Sequence, residues 1–377
     1  MAARVFECNA FRFESKAKIS LTLCGCRLNR SDRILVTAYS CFNGLLGHFW
    51  GLSMDTLFSW RRASAQDLSE CLSLRPAKNG AEVVGLKAAT AAWRQLFDMG
   101  HASRSAVIEM HYNGHVEIVG FGFASFVKQD FADAEALNPK PGLNCRVIES
   151  VVNGHSVIAT YDEVRDANTR GELHQVILDT SWKDNRLNPA QRDEVRFLLG
   201  RAYQELFSGY GFARILTELV DELDLWHIEG QRVWVLDRFE AYRLAHPESI
   251  WNPDRALALV TQESMGKDPH SVGSGLFHHR PQPQFAFTLG EQQLLELAME
   301  GSDDAASAKS LFVTVPAIKR RWENIFRRVA AIRPDLSPLD GDGTRGIQKR
   351  QRVVVHVRNH PEELRPFNLS KQKKIDK

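Results

Sequence analysis

The chain has 377 residues, of which 44% are hydrophobic and 25% are charged. This composition is typical of a soluble globular protein of about two domains, and it excludes collagen-like and wholly disordered chains. The net charge is only +2, but from Arg345 to Lys377 ten basic residues face three acidic ones. We therefore expect only this end of the chain to attract anions.

The stretch from Ile34 to Met54 has no Asp, Glu, Lys or Arg and is 21 residues long. That length could span a bilayer, although Asn43, His48 and three glycines weaken a membrane helix. Two interpretations stay open: a signal anchor, or an extension upstream of a natural start at Met54. We expect residues 1–53 to lie outside the folded unit, with no membrane as partner.

Six cysteines are too few for a disulfide framework in a chain of this length. Their number favours a reducing, cytoplasmic location. Cys24 and Cys26 could form half of a metal site, but no second pair follows at a zinc-finger spacing. We expect free thiols and no metal or cofactor.

Residues 54–263 show the mixed pattern of an α/β domain. Apolar residues at helical intervals predict a helix over Val83–Met99. Strands are expected at Ser105–Tyr112 and His115–Val127, joined by a type I′ turn at Asn113-Gly114. A further strand is expected at Arg146–Val152.

Farther along, Leu173–Leu178 and Arg214–Val220 resemble buried strands. Asn188-Pro189 between them is a typical helix start, because it supplies a cap and a preset first turn. Residues 264–284 are rich in Gly, Ser, His and Pro, and this composition predicts a linker. A separate domain would then occupy residues 285–377.

Residues 285–377 contain signals for several short helices. Thr288 and Glu291 form a capping-box pattern, and Thr314 can cap a later helix over residues 315–329. In that helix Ile318, Trp322, Ile325, Phe326 and Val329 fall on one apolar face. The opposite face and its flanks carry side chains suited to bases and phosphates in a DNA major groove. The DNA-binding candidates are Thr314, Ala317, Lys319, Arg320, Arg321, Asn324, Arg327 and Arg328.

The order of these residues resembles the LuxR-type helix-turn-helix. The resemblance rests on Phe287-Thr288-Leu289-Gly290-Glu291, Ala298 to Gly301, Leu311 to Lys319 and Asn324 to Val329. It implies a bacterial, dimeric transcription regulator that places residues 315–329 in the major groove of double-stranded DNA. Two departures from the family are Pro316 and Trp322 in the recognition helix.

The expected fold class is therefore an α+β sensory-type domain followed by an all-α, LuxR-like helix-turn-helix domain. The first domain would sense a small-molecule or protein effector, or mediate dimerisation. Polar residues near its first hairpin and in a later segment are candidate ligand contacts: Glu109, His111, Arg165 and Asn168. No catalytic residue is assigned, and the expected function is not enzymatic.

An alternative function stays open for the large domain. The hairpin, strand, helix, strand order from Ser105 to Val220 resembles the GNAT acyltransferase fold, and a GAF-like or PAS-like module fits equally well. The GNAT resemblance implies a glycine-containing loop that holds the pyrophosphate of acyl-CoA, yet Asp179 to Asn188 contains no glycine. The alternative is thus a degenerate or true acyltransferase with an accessory helical domain.

Overall fold

A computed structural model describes residues 56–74, 84–183, 185–220, 234–248, 255–266, 274–278, 281–336 and 346–368. The predicted N-terminal extension, the uncharged stretch and the Cys24/Cys26 pair lie outside these residues. Among the described helices, none combines the length and the apolar character needed to cross a bilayer.

Seven strands of the described residues form one mixed sheet. They are β1 (Thr56–Arg62), β2 (Ser103–Tyr112), β3 (His115–Val127), β4 (Leu173–Trp182), β5 (Phe212–Leu219), β6 (Val235–Asp237) and β7 (Ala256–Thr261). Their order across the sheet is β1-β2-β3-β4-β5-β7-β6. Every neighbouring pair is antiparallel except β4 and β5, which run parallel.

The helices up to β7 are α1 (Leu68–Leu74), α2 (Leu86–Asp98), α3 (Gln129–Leu137), α4 (Leu143–Val152), α5 (Tyr161–Arg170), α6 (Pro189–Phe207) and α7 (Glu240–Ala245). After β7 follow α8 (Gln262–Gly266), α9 (Ser274–His278), α10 (Leu289–Met299), α11 (Asp304–Ser310), α12 (Val315–Ile332), α13 (Gly346–Asn359) and a 3-10 turn (Pro361–Leu364).

The predicted hairpin is confirmed. Tyr112 pairs with His115 across the turn, and Asn113 and Gly114 have φ angles of 48° and 76°. The positive φ values are those that a type I′ turn requires. The strand expected at Arg146–Val152 is wrong, because α4 covers these residues and buries Val147, Ile148 and Val151 at helical spacing.

Helix α6 connects the parallel strands β4 and β5 and packs on one face of the sheet. Its Val195 and Leu199 join Ile108 and Val119 of the neighbouring strands in a buried cluster. Gly120 permits this contact, because a Cβ there would lie 2.9 Å from Val195 Cγ1. Helices α2 and α4 contribute to the larger core on the sheet's other side.

The expected fold class is wrong at the C-terminal end, because the helices α10 to α13 are not a separate all-α domain. Thr56–Lys377 form one compact unit. Glu296 of α10 forms ion pairs with Arg62 and Arg104 of the sheet, at 3.1 Å each. Arg365 extends back to donate from Nε to the Ser208 carbonyl at the end of α6, at 2.8 Å.

Residues 264–284, whose composition predicts a linker, also contribute buried side chains to the core. Within residues 264–284 the chain forms the C-terminal part of α8 and the whole of α9. Met265, Leu276 and Phe277 of these turns belong to the main core. Their apolar side chains bind the segment to the sheet, although its Gly and Pro content is typical of open chain.

Candidate active site

The parallel strands β4 and β5 separate partway along the sheet. Their pairing extends from Leu173 to Ile177 on β4, whereas β4 itself continues to Trp182. At the point of separation β4 carries a bulge at Leu178, because Phe123 pairs with Asp179 and Ala124 pairs with Ile177. Such a bulge changes the direction of the side chains that follow it.

The carbonyl of the bulge residue is held by a helix on the far side of the sheet. Asn144 in the first turn of α4 donates from Nδ2 to the Leu178 oxygen at 2.5 Å. The N–H of Gly142, which caps the same helix, donates to Glu218 of β5 at 2.9 Å. Helix α4 is thus tied to both strands where they separate, and this fixes the shape of the opening.

A cavity of about 300 Å³ lies on the α6 face of the sheet at this separation. Apolar residues form much of its wall, and they include Phe123, Ile177, Leu199, Leu206, Phe207, Ile215, Leu219, Val260, Met265, Leu276 and Phe277. The polar lining consists of Arg104, Asp179, Thr180, Arg196, Tyr203, Gln204 and Thr217. A concave apolar site with few converging polar groups is typical of small-molecule binding.

Asp179 follows the bulge directly, and its side chain lies on the face of the sheet opposite the cavity. It is 2% exposed and pairs with Phe123, which packs on Trp93 of α2. The neighbouring Thr180 instead pairs with Gly122, which lies against Leu199 of α6. Asp179 Oδ1 accepts a hydrogen bond from the Ser181 hydroxyl.

Tyr203 of α6 lines the same cavity. Its hydroxyl donates to Gln175 Oε1 on β4. Burial raises the pKa of Tyr203 above its ordinary value. The phenol therefore stays protonated at neutral pH, and its proton stays in the hydrogen bond to Gln175.

The N-terminus of α6 lacks the open amides that a phosphate cradle needs. Asn188 Oδ1 accepts from the Gln191 N–H, and Gln191 Oε1 accepts from the Asn188 N–H, each at 3.0 Å. Pro189, the first helical residue, has no N–H. The capping box therefore occupies the groups that bind anions at other helix starts.

A second cavity, of about 470 Å³, lies beside Trp182, which also lines the first one. Its cationic residues are Lys183 and Arg186. Lys183 Nζ already donates to Glu117 at 2.9 Å and to Glu70 at 3.2 Å. Its charge is thus largely neutralised within the protein.

The four predicted ligand contacts do not line either cavity. Glu109 pairs with Arg61 at 2.7 Å, and His111 Nε2 lies 2.8 Å from the Ser59 hydroxyl. Arg165 pairs with Asp162 at 3.0 Å. Asn168 accepts from the Gly211 N–H and donates to the Pro366 carbonyl, so it joins the C-terminal segment to the large domain.

Of the predicted DNA contacts, Lys319, Arg320, Asn324 and Arg327 are exposed on α12, whose opposite face buries Ile318, Trp322, Ile325 and Val329 as expected. Thr314 caps the helix by accepting from the Ala317 N–H at 3.4 Å. Arg321 and Arg328 instead point towards the start of α10. Arg328 pairs there with Glu291 at 3.4 Å, and Arg321 Nη1 lies 3.5 Å from the Gly290 oxygen.

Sequence reasoning missed the residues of the cavity. Trp182, Arg196 and Tyr203 come together only when β4 and α6 pack against each other, and no local motif marks them. The absence of glycine after β4 is visible in the sequence, whereas the bulge at Leu178 leaves no signal in the composition. The buried strand followed by Asn188-Pro189 is the sequence feature that indicates the β4–α6 unit.

No family model matches the chain, and no curated protein matches it. Among solved structures, a mosquito arylalkylamine N-acetyltransferase like 5b is similar over 54% of this chain and 100% of its own, with 13% identity and a TM-score of 0.34. The C-terminal condensation domain of Ebony in complex with beta-alanyl-dopamine covers 54% of this chain and 99% of its own, with 13% identity and a TM-score of 0.31.

The expectation of a non-enzymatic, DNA-binding transcription regulator is therefore wrong. Neither of these two structures is a DNA-binding regulator. The described strands form one seven-stranded mixed sheet, in which α6 connects the one parallel pair. The local resemblance of residues 287–329 to a LuxR-type motif stays a prediction, as do the partners that it implies.

Proposed function

We propose that this protein is an acyltransferase that moves an acyl group from an acyl thioester, such as acyl-CoA, to an amine. One observation carries the proposal: a largely apolar cavity opens where β4 separates from β5, beside the helix that connects them. The cavity offers room for a flexible thioester.

The unpaired end of β4 supports an extended donor. Within the described residues, no strand pairs with the β5-facing side of β4 beyond Ile177. An extended ligand that contains amide groups can hydrogen-bond to such a strand as an added strand would. The pantetheine arm of acyl-CoA has this chemistry, and the thioester would then lie in the cavity beside the end of β4.

The proposed transfer balances without an external acid or base. The amine nitrogen attacks the thioester carbonyl carbon, and the new C–N bond forms. The C–S bond breaks, so that the thiolate leaves with the electron pair. The amine loses one proton and the thiolate takes one up, so no net proton is released or consumed.

Thiol release from acetyl-CoA and octanoyl-CoA, with tyramine, spermidine and a lysine peptide as acceptors, tests the proposal. Thiol should be released only when a thioester and an amine are both present, and an equal amount of acylated amine should form. Mass spectrometry of the acceptor identifies that product. Absence of thiol release and of acylated amine with every pair of substrates would overturn the proposal.

A further inference from the structure

Gly200 lies in the interior of the 19-residue helix α6, at a position where no close neighbour requires a glycine. Glycine in a helix interior destabilises the helix relative to alanine. A Cβ at Gly200 would meet no heavy atom of the described residues within 4 Å, whereas a Cβ at Gly120 would meet Val195 at 2.9 Å. Gly200 lines the cavity, so the missing side chain leaves space that a ligand can occupy.

Arg196 lies one helical turn before Gly200 and lines the same cavity. Its guanidinium lies over the Trp182 ring, 4.9 Å from the centroid, and its side chain is 19% exposed. Nη1 donates to Asp193 at 3.1 Å. Nε is buried and has no acceptor within the described part of the chain. A buried donor without an acceptor is costly, which favours an acceptor that arrives with the ligand.

The lining of the cavity contains both a charged side chain and apolar side chains. At the Arg196 end the wall contains the guanidinium and Trp182, whereas Ile215, Val260 and Phe277 belong to the apolar lining. A ligand that fits both parts has an anionic group and an elongated apolar part. The volume of about 300 Å³ is about twice that of the ~150 Å³ cavity that holds a benzene ring.

We propose that Arg196 and Gly200 form one binding stripe on α6 for an anionic, elongated ligand. Arg196 pairs with a phosphate or carboxylate of the ligand, and the adjoining apolar part crosses Gly200 into the core. The identity of the ligand as an acyl thioester rests on the proposed function. Arg196 then takes the place of the helix amides that the cap of α6 occupies.

Calorimetry with three probes separates the groups of the ligand. Octanoyl-CoA carries phosphates, S-octanoyl-pantetheine carries none, and octanoate carries a carboxylate alone. The variants of the full chain are Arg196→Gln, Gly200→Leu and Gly200→Ala, with Arg201→Gln as the matched control. Arg201 is 52% exposed on the same helix and pairs with Glu205.

Arg196→Gln should weaken octanoyl-CoA binding at least about tenfold and S-octanoyl-pantetheine binding less than about threefold, where each tenfold step is about 1.4 kcal/mol. Gly200→Leu should weaken both at least about tenfold by filling the cavity. Arg201→Gln should change neither. Gly200→Ala should raise the urea midpoint through helix propensity and weaken both ligands by about two- to fivefold, so it replaces Gly200→Leu if that variant fails to fold.

The stripe is overturned if Arg196→Gln weakens both thioesters equally or neither, or if the Gly200 variants bind as tightly as the wild type. Thioester turnover with those results leaves the acyltransferase function standing. Octanoate that binds in an Arg196-dependent way, with no thioester binding, supports the stripe and refutes the function. Absence of binding by all three probes to the wild type refutes both.

Discussion

Glu296 joins the C-terminal helices to the sheet, and its replacement tests whether the two parts unfold together. Its carboxylate accepts from Arg104 at 3.1 Å, and Arg62 Nη1 lies 3.1 Å from its second oxygen. Burial alone would raise the pKa of Glu296, but the charges of Arg104 and Arg62 lower it from the ordinary 4.5 to about 2. At 1.36 kcal/mol per pKa unit, this difference is worth about 3 kcal/mol of stability.

Glu296→Gln should therefore lower the free energy of unfolding at pH 7 by about 3 kcal/mol, because it leaves Arg104 buried without its counter-charge. Since the folded-state pKa is depressed, this contribution is full above pH ~4.5 and is lost as the pH falls towards ~2. Urea unfolding at pH 7 and at pH 3.5 should show the difference between the wild type and the variant decrease by about 1 kcal/mol at the lower pH.

Glu300→Gln is the control for this prediction. Glu300 caps the C-terminus of the same helix, pairs with Arg62 at 3.7 Å, and has a side chain that is 50% exposed. It should cost less than about 1 kcal/mol, as exposed pairs do. Equal effects of the two substitutions would refute the reasoning. So would two separate unfolding transitions in the wild type, because the buried cluster would then fail to couple the helices to the sheet.

Two further substitutions test close backbone packing. Gly209→Ala should lower the free energy of unfolding by about 2 kcal/mol or more, because φ is +83° and the new Cβ would lie 2.6 Å from the Glu362 nitrogen; an unchanged melting temperature would contradict this. Gly120→Ala should cost about 1–3 kcal/mol through contact with Val195 and Ile108, at 2.9 and 3.0 Å. The double variant Gly120→Ala/Val195→Ala should cost less than the sum of the single substitutions, and strict additivity would refute the contact.

Local features were predictable from the sequence because their signals are local. Asn113-Gly114 predicts the β2–β3 turn, and Asn188-Pro189 predicts the start of α6. The apolar spacing of α12 predicts its buried face, since helical periodicity depends only on neighbouring residues. These predictions needed no knowledge of which elements meet in space.

Long-range features were not predictable in this way. Glu296 reads as an ordinary polar residue of a short helix, yet its partner Arg104 lies 192 positions earlier. The bulge at Leu178 depends on the register between β4 and β3, which composition does not determine. The sequence therefore predicts a separate C-terminal domain where the structure has one folded unit. It does not predict the cavity that opens where β4 separates from β5.

A crystal structure with a bound thioether analogue of octanoyl-CoA would test the central claim most directly, because the thioether cannot react. The account predicts the pantetheine arm along β4 beyond Ile177, the sulfur inside the cavity and a phosphate within hydrogen-bond distance of Arg196. A ligand bound elsewhere on the chain, or a crystal whose cavity stays unoccupied at saturating analogue, would contradict the acyltransferase proposal.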